Sequence, residues 1–324
     1  MTILITGGAG YIGSHCVLEF LKLGYECFVL DNLSEGHREA VKTCNFYKAD
    51  LSNIEAIKTC FKKYPIKAVV HFAASCYVGE SVFEPQKYYY NNVVNTLNLL
   101  KVMLENNVNK LVFSSTCAIY GKPLYIPIDE KHTQSPINTY GKTKLMIENI
   151  LQDYDKAYGL KYMALRYFNA AGANNDSNIG ESHNNETHLI PLVLQTALGK
   201  KDSIKIFGND YDTPDKTCIR DYIHVDDLAK AHRLALEKLF GGKNSNFYNL
   251  GIGKGYSVNE IIQISEKISG KNINIEVVSR REGDPAILIA GNTKAQVELG
   301  WKPEYTEISD IIKSAWNWEK NRYY

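Results

Sequence analysis

Thr2-Ile3-Leu4-Ile5-Thr6-Gly7-Gly8-Ala9-Gly10-Tyr11-Ile12-Gly13 opens the chain, and its reading decides the fold. Residues 2–6 are short and apolar, as expected of a strand buried on both faces of a parallel sheet. A helical pattern follows to Leu23, with Gly24 at the expected stop. The glycines between them satisfy two overlapping patterns, Gly7/Gly10/Gly13 and Gly8/Gly10/Gly13. A bare glycine pattern says little. Between a strand and a helix, however, glycines let the chain turn sharply and let backbone N–H groups approach a pyrophosphate at the helix start. A second strand, Glu26 to Leu30, ends in Asp31, eighteen residues past Gly13. A carboxylate there accepts hydrogen bonds from adenosine ribose hydroxyls and repels a 2′-phosphate, which favours NAD over NADP.

Outward from this unit, strand and helix patterns keep alternating. Strands are expected at 46–49 (ending at Asp50-Leu51), 67–74, 109–115 and 162–168, with helices at 85–105 and 140–158. Six βα units predict an α/β fold with a Rossmann-type, doubly wound parallel sheet that binds ligands at the strands' carboxyl ends. The residues to suspect are therefore Phe72 to Cys76, Thr116, Phe168 and Asn169. Residues 1–171 form the expected NAD-binding domain. After Gly172 the character changes. A polar loop at 172–187 precedes a helix at 188–198, a strand at 203–207, a loop at 209–219 and a helix at 225–240. Ser257 and Glu260 have capping-box spacing, and a strand at 274–278 leads into Arg280-Arg281-Glu282-Gly283-Asp284. Residues 172–324 read as a smaller α/β lobe covering the sheet's carboxyl edge, with about 218–250 returning to the first domain.

Composition narrows the class. The 324 residues are 44% hydrophobic and 23% charged, with Lys+Arg 37 against Asp+Glu 36, a net charge of +1. This is the balance of an ordinary globular protein, without the basic surface a nucleic acid or an anionic membrane would need. The seven cysteines form no Cys-x-x-Cys pair, and several sit in apolar runs as reduced core thiols would. With no signal-like opening and no apolar run long enough to span a bilayer, the expectation is a cytoplasmic protein.

Candidate chemistry lies at Tyr140-Gly141-Lys142-Thr143-Lys144. Tyrosine and lysine four apart share one helix face. A free phenol has a pKa of about 10, and a nearby cation brings it down, so such a pair can take a proton from a sugar or alcohol hydroxyl. The Ser114-Ser115-Thr116 strand end precedes it.

Taken together, the chain resembles the UDP-glucose 4-epimerases within the extended short-chain dehydrogenase/reductase family. TGGAGYIGSH (6–15), LDN (30–32), HFAA (71–74), VGES (78–81), YYYNNVVNT (88–96), SSTCAIYG (114–121), YGKTK (140–144) and LRYFNAAGA (165–173) carry the likeness in the first half. THLIP (187–191), IFGNDY (206–211), CIRDYIHVDD (218–227) and RREGDP (280–285) carry it in the second. The resemblance implies NAD-dependent C4 epimerisation of UDP-hexoses through a 4-keto sugar, with a UDP-sugar as the only partner beside a second copy of the chain in a homodimer. It implies no metal. For the cofactor it implies Gly7, Gly10, Tyr11, Ile12 and Gly13 at the pyrophosphate and Asp31, Asn32 and Ser34 at the adenosine ribose. Asp50 and Leu51 would flank the adenine, with Phe72, Ala73, Ala74, Cys76, Asn91 and Phe168 along the rest of the channel. Tyr140 would be the base, Lys144 its partner and Thr116 the hydrogen-bonding neighbour of the reacting hydroxyl. Phe168, Asn169, Leu189, Phe207, Arg220, Arg281 and Asp284 would form the UDP-sugar site. His188, where some relatives have asparagine, is set against the nucleotide with no further role.

Two departures from the pattern stand out. Cys76 stands where some members have a lysine, and it reads best as a structural thiol. Leu288 stands near a tyrosine that narrows the pocket of glucose-restricted members, so room for a 2-acetamido group is expected, and with it activity on UDP-GlcNAc/UDP-GalNAc. Epimerases of UDP-glucuronate or UDP-pentoses stay open as alternatives. A 4,6-dehydratase would need acids directly after Thr116, where Cys117-Ala118 cannot transfer protons. An NAD-binding sensor without chemistry would not need both Tyr140 and Lys144. A metal-dependent isomerase finds no His-x-x-x-His pair among the eight histidines.

Overall fold

The glycine-flanked first strand lies inside a seven-stranded sheet. A computed structural model describes residues 1–176, 178–281 and 283–324; Glu282, within the arginine-rich run quoted above, lies outside them. The strands are β1 (Thr2–Thr6), β2 (Glu26–Asp31), β3 (Asn45–Lys48), β4 (Ala68–His71), β5 (Lys110–Thr116), β6 (Lys161–Tyr167), β7 (Asn169–Ala171), β8 (Ile204–Phe207), β9 (Ile219–His224), β10 (Asn246–Leu250), β11 (Gly255–Ser257), β12 (Ile275–Val278) and β13 (Ile287–Leu288). The large sheet runs β10-β6-β5-β4-β1-β2-β3, and every pairing in it is parallel. The strand order reverses at β1/β4, which opens a crevice at their carboxyl ends.

Period-two alternation sends Ile3 and Ile5 to one face and Leu4 to the other. The first face is covered by the helices Tyr11–Lys22 and Val225–Phe240, through Cys16, Val17, Phe20, Leu228, Ala235 and Leu239. The second is covered by Ile54–Lys63, Asn95–Glu105 and Thr139–Tyr158, through Ile57, Leu99, Val102, Ile147 and Leu151. A separate core joins the helices Leu189–Ala197, Val258–Ser269 and Ile308–Asn321. Beside it, β7, β11 and β13 pair with β9, and β8 pairs with β12.

Several expected elements are redrawn. The single helix expected over 85–105 has a π-helical turn at Tyr89–Val94, and a separate short helix, Val78–Phe83, precedes it. Strands β9, β10, β11 and β13 and the helix Ile308–Asn321 are not among the expected elements. The helix Val225–Phe240 and β10 pack with the large sheet, whereas β9, at the head of that returning stretch, pairs only within the small one.

Candidate active site

At the carboxyl ends of the large sheet lies a cleft of about 1090 Å³, and every site residue singled out from the sequence lines it. Its floor is the glycine turn. Gly7 has φ +69°, and a Cβ on it would meet the Ala73 nitrogen at 2.5 Å; one on Gly13 would meet the Gly7 carbonyl oxygen at 2.3 Å. These two glycines let β1 close onto β4 and let the first helix start against the turn. Gly10 differs, since the nearest atom to its Cβ would be at 3.4 Å. No side chain caps the helix at Gly10, so its first-turn N–H groups face the cleft, an arrangement suited to phosphate.

Asp31 ends β2 beside this turn. Its Oδ2 accepts from the Ala9 N–H (3.0 Å) and its Oδ1 from the Leu33 N–H (2.8 Å). Burial raises its pKa against these hydrogen bonds. Each carboxylate oxygen keeps further acceptor capacity, as a ribose diol requires. Next to it the Asn32 amide donates to Asp50 Oδ2 at 2.6 Å, which ties the ends of β2 and β3 together. The turn, the carboxylate and the channel beyond them fit NAD.

The helix Thr139–Tyr158 brings Tyr140 to the other end of the channel. The Asn138 side chain caps it by accepting from the Gly141 N–H at 2.8 Å. Gly141 packs so closely that a Cβ would meet the Ala118 oxygen at 2.6 Å, which holds Tyr140 beside the Thr116 end of β5. Farther along the same face are Lys144 and Glu148. Lys144 is buried, and its Nζ donates to the Ser114 carbonyl at 2.8 Å. Below it, Glu148 accepts from Ser115 Oγ (2.5 Å) and pairs with the fully buried Arg166, whose Nη1 reaches the Tyr120 hydroxyl at 2.9 Å. Asn92, in the π-helical turn, donates to Thr143 Oγ1 and to the Ser75 carbonyl, both at 3.1 Å. These contacts fix the helix to β4 and β5.

The electrostatics of the pair differ from the expectation. Lys144 Nζ lies 5.8 Å from the centre of the Tyr140 ring and is engaged by the Ser114 carbonyl. Burial lowers Lys144 to about 8, against the pull of Cys76 and Glu148. Withdrawal from water holds the Tyr140 phenol well above its ordinary range; Tyr167 and Cys76 add to this, and the Thr116 hydroxyl works the other way. In the protein alone, desolvation outweighs the lysine's charge. Cys76 also departs from its reading, because it is exposed on the cleft wall rather than buried as a structural thiol.

The opposite wall belongs to the small sheets. Arg220, on β9, forms an ion pair with Asp284, so these two expected substrate contacts engage each other. Arg280 is the surface ion-pair residue, bonded to Asp210 at 2.6 Å. Arg281 lies over the Phe207 ring at 3.9 Å and has no ion-pair partner among the described residues. The Asn169 amide donates to the Asp221 carbonyl at 2.8 Å, and Leu288 sits opposite Arg220 in the β9/β13 register.

His188 is not a lone nucleotide neighbour. Its Nδ1 is 2.5 Å from Glu181 Oε1, and Glu181, His183, Glu186 and His188 gather their ligand-type atoms within 4.8 Å of one another. Burial works against charge on His183, yet the neighbouring carboxylates of Glu181 and Glu186 raise it to about 10. The sequence reading sees no such cluster because the spacing Glu-x-His-x-x-Glu-x-His follows no helical ligand pattern; the repeated His/Glu content of 181–188 is its only signal. Tyr77, whose hydroxyl donates to Glu35 Oε2 at 2.8 Å, is a further cleft residue not expected.

Comparison with known proteins bears on this geometry. The model of the family described as "NAD dependent epimerase/dehydratase family" matches residues 3–251. The chain is 52% identical over 320 residues to the UDP-glucose 4-epimerase of Halalkalibacterium halodurans, covering 99% of this chain and 96% of that protein. The crystal structure of UDP-glucose 4-epimerase from Brucella ovis in complex with NAD superposes with a TM-score of 0.95 at 46% identity, covering 98% of this chain and 97% of that one. The UDP-Glc/GlcNAc 4-epimerase from Campylobacter jejuni superposes with a TM-score of 0.86, also at 46% identity, with 99% of each chain covered.

Proposed function

The chain belongs to the NAD dependent epimerase/dehydratase family, and from that premise we propose that it is an NAD-dependent UDP-hexose 4-epimerase interconverting UDP-glucose and UDP-galactose. One observation carries the reading: Tyr140, Lys144 and Thr116 open onto the same cleft as the glycine turn and Asp31. When bound, NAD supplies the two-electron oxidation of the sugar's C4 and its reversal. Tyr140 takes the proton of the 4-hydroxyl and returns it after the 4-keto sugar has turned over. Thr116 hydrogen-bonds that hydroxyl, and Lys144, held by the Ser114 carbonyl, supplies fixed positive charge and a donor to the cofactor ribose. Arg281, with Arg220 behind its Asp284 partner, suits the diphosphate because guanidinium presents paired donors. Phe168, Asn169, Leu189 and Phe207 line the nucleotide's path. Anchoring at the nucleotide leaves the reacting ring loosely held, so remote binding energy supports a step that needs rotation.

Residues 1–171, joined by the helix Val225–Phe240 and β10, hold the cofactor in this reading, and most of 172–324 holds the UDP-sugar. Leu288 supports a second substrate class. It lines the cleft as an aliphatic side chain packed beside Phe168 and Ile119, which leaves space beside the ring for an acetamido group. Exposed Phe83 and Tyr90, 84% and 62% accessible, support a homodimer through the 78–105 helices. No helix among the described residues is long and apolar enough to cross a membrane; the free, unpaired cysteines support a cytoplasmic setting in this reading.

Proton NMR of the purified protein with UDP-glucose, UDP-GlcNAc and UDP-glucuronate in turn, without added NAD, tests the proposal. The first two should convert and the third should not. Tyr140→Phe should retain bound NAD and lose turnover by roughly 10²-fold or more. An active Tyr140→Phe protein, or a wild type that carries no NAD and cannot be loaded with it, sinks the reading.

A further inference from the structure

Beside the cofactor turn, the segment 181–188 closes a cage of two imidazoles and two carboxylates. His183 Nδ1 is 3.3 Å from Glu181 Oε1 and 3.4 Å from Glu186 Oε2, and His188 Nδ1 is 3.4 Å from Glu186 Oε1. Two of these atoms have no hydrogen-bond partner although they are buried, His183 Nδ1 and Glu186 Oε2. The side chains that carry them are only 10% and 5% exposed. Leaving a buried polar atom unpaired costs about 1–3 kcal/mol, and both point into the same small space.

We propose that Glu181, His183, Glu186 and His188 bind one divalent transition-metal ion of the Zn²⁺ class, which fastens the 181–188 loop against the cleft wall. This assignment goes beyond the epimerase reading and does not rest on it. Ligand bonds of about 2.0–2.1 Å in a tetrahedron place neighbouring ligand atoms about 3.4 Å apart; His183 Nδ1 already has this separation from Glu181 Oε1 and Glu186 Oε2, His188 Nδ1 has it from the other Glu186 oxygen, and the four ligand atoms all lie within 4.8 Å of one another. The remaining contact, His188 Nδ1 to Glu181 Oε1 at 2.5 Å, is one that a proton bridges; the ion replaces that proton and the two atoms move apart by about 1 Å. Two imidazole nitrogens with two carboxylate oxygens suit a borderline ion better than Mg²⁺ or Ca²⁺, which prefer all-oxygen shells, or a thiophilic ion. The ion also neutralises both carboxylates without requiring either imidazole to be protonated.

Outer contacts already hold the cage. The Glu181 carbonyl accepts from Trp318 Nε1 at 2.8 Å, and the next residue, Ser182, donates its hydroxyl to the Tyr324 carbonyl at 3.0 Å. Tyr11 and Tyr77 set their rings edge-on to His183 at 6.4 and 6.0 Å. Tyr11 is the first residue of the helix that starts at the glycine turn, and the helix Leu189–Ala197 begins directly after His188. The ion therefore acts as a clamp joining the cofactor turn to the nucleotide wall, with a positioning role and no part in proton transfer.

The full-length protein with its bound cofactor, dialysed against EDTA, is titrated with ZnCl2 by calorimetry near neutral pH, and bound metal is counted by mass spectrometry. Uptake of one ion per chain and an intense visible absorption on Co²⁺ substitution, the mark of a tetrahedral site, are the expected results. Affinity should fall at least about tenfold in both Glu186→Gln and His183→Ala, and added Zn²⁺ should raise the melting temperature of the wild type and not of Glu186→Gln. Should His183→Ala fail to fold, the near-isosteric Glu186→Gln carries the comparison. Absent or substoichiometric uptake by the wild type, or an unchanged affinity in Glu186→Gln, overturns the assignment in favour of a protonated imidazolium–carboxylate cluster.

Discussion

Replacing Lys144 by methionine should stabilise the cofactor-free protein while destroying its activity. The side chain is 2% exposed, and burial lowers its pKa from 10.5 to about 8. That gap corresponds to roughly 3 kcal/mol of penalty on the buried charge. Methionine keeps the length of the side chain and is neutral, so the penalty disappears; the hydrogen bond to the Ser114 carbonyl, about 1 kcal/mol, goes with it. The net gain is about 2 kcal/mol, or about 3 °C in melting temperature, at an unfolding entropy of about 0.7 kcal/mol/K for a chain of this length. The sign with pH follows from a folded pKa below the unfolded one. The penalty is complete below about 8, where both states carry the charge, and it fades as pH rises to 10.5, where neither does. Denaturant unfolding of cofactor-stripped wild type and Lys144→Met should therefore show the variant ahead at pH 7 and the difference closing near pH 10.5. Turnover of the reloaded variant should fall by about 10²–10⁴-fold. A variant less stable than wild type at pH 7, or an advantage that ignores pH, would refute the reasoning.

Three further outcomes follow from the same contacts. Arg166→Met leaves the Glu148 carboxylate buried without its partner and should cost about 3–5 kcal/mol, whereas the Glu148→Leu/Arg166→Met double variant should recover most of it; denaturant midpoints decide, and a double variant as unstable as the sum of the singles contradicts the account. Gly13→Ala puts a methyl 2.3 Å from the Gly7 oxygen and should yield protein purified without its dinucleotide, as measured by extraction. A full complement of NAD in that variant means the turn tolerates what the geometry forbids. Leu288→Tyr should lower UDP-GlcNAc conversion at least about tenfold relative to UDP-glucose; an equal loss on both substrates removes Leu288 from the sugar pocket.

The large sheet is legible because parallel strands buried on both faces read as apolar runs and because its glycine turn has a steric requirement. Where burial is carried by other means, legibility fails. Strand β9 reads as the end of a loop because Arg220 and Asp221 interrupt it. Asp221 is fully buried and accepts from the backbone N–H groups of Ile252, Gly253 and Ala290 at 2.9, 3.0 and 3.1 Å. Strand β10, Asn-Phe-Tyr-Asn-Leu, completes the sheet with two asparagines, one of which bonds Tyr120. The π-helical turn at Tyr89–Val94 cannot be seen in a period of 3.6; it is set by the Asn91 and Asn92 contacts to Ser75. For the site, each residue expected at the cleft does line it; Phe72 to Cys76, Thr116, Phe168 and Asn169 are legible from strand ends, whereas Asn91, His188, Leu189, Phe207, Arg220, Arg281, Asp284 and Leu288 are legible only through the family resemblance. The partners are legible from neither. Arg220 with Asp284, and His188 with Glu181, meet across loops whose paths only packing decides.

The buried carboxylate of Asp221 explains how the substrate wall can vary without losing its anchor. Burial raises its pKa to about 6 against the pull of its three N–H donors, so the fold bears the cost of a desolvated acid to tie two backbone segments, at 252–253 and at 290, to β9. One of those segments carries Ala290, two residues past Leu288, and Leu288 is in register with Arg220 on the strand that holds Asp221 itself. The candidate sugar-facing side chain and the candidate diphosphate anchor are thus set by one clamp. Leu288 is a partly buried side chain on the cleft wall, so its size can change while the backbone beneath it stays fixed. A reaction that must release the sugar to rotate and keep the nucleotide in place calls for this division. On these grounds substitutions at 288 should shift the ratio between sugars, and Asp221→Asn, which keeps the shape and removes the charge, should weaken all UDP-sugars alike.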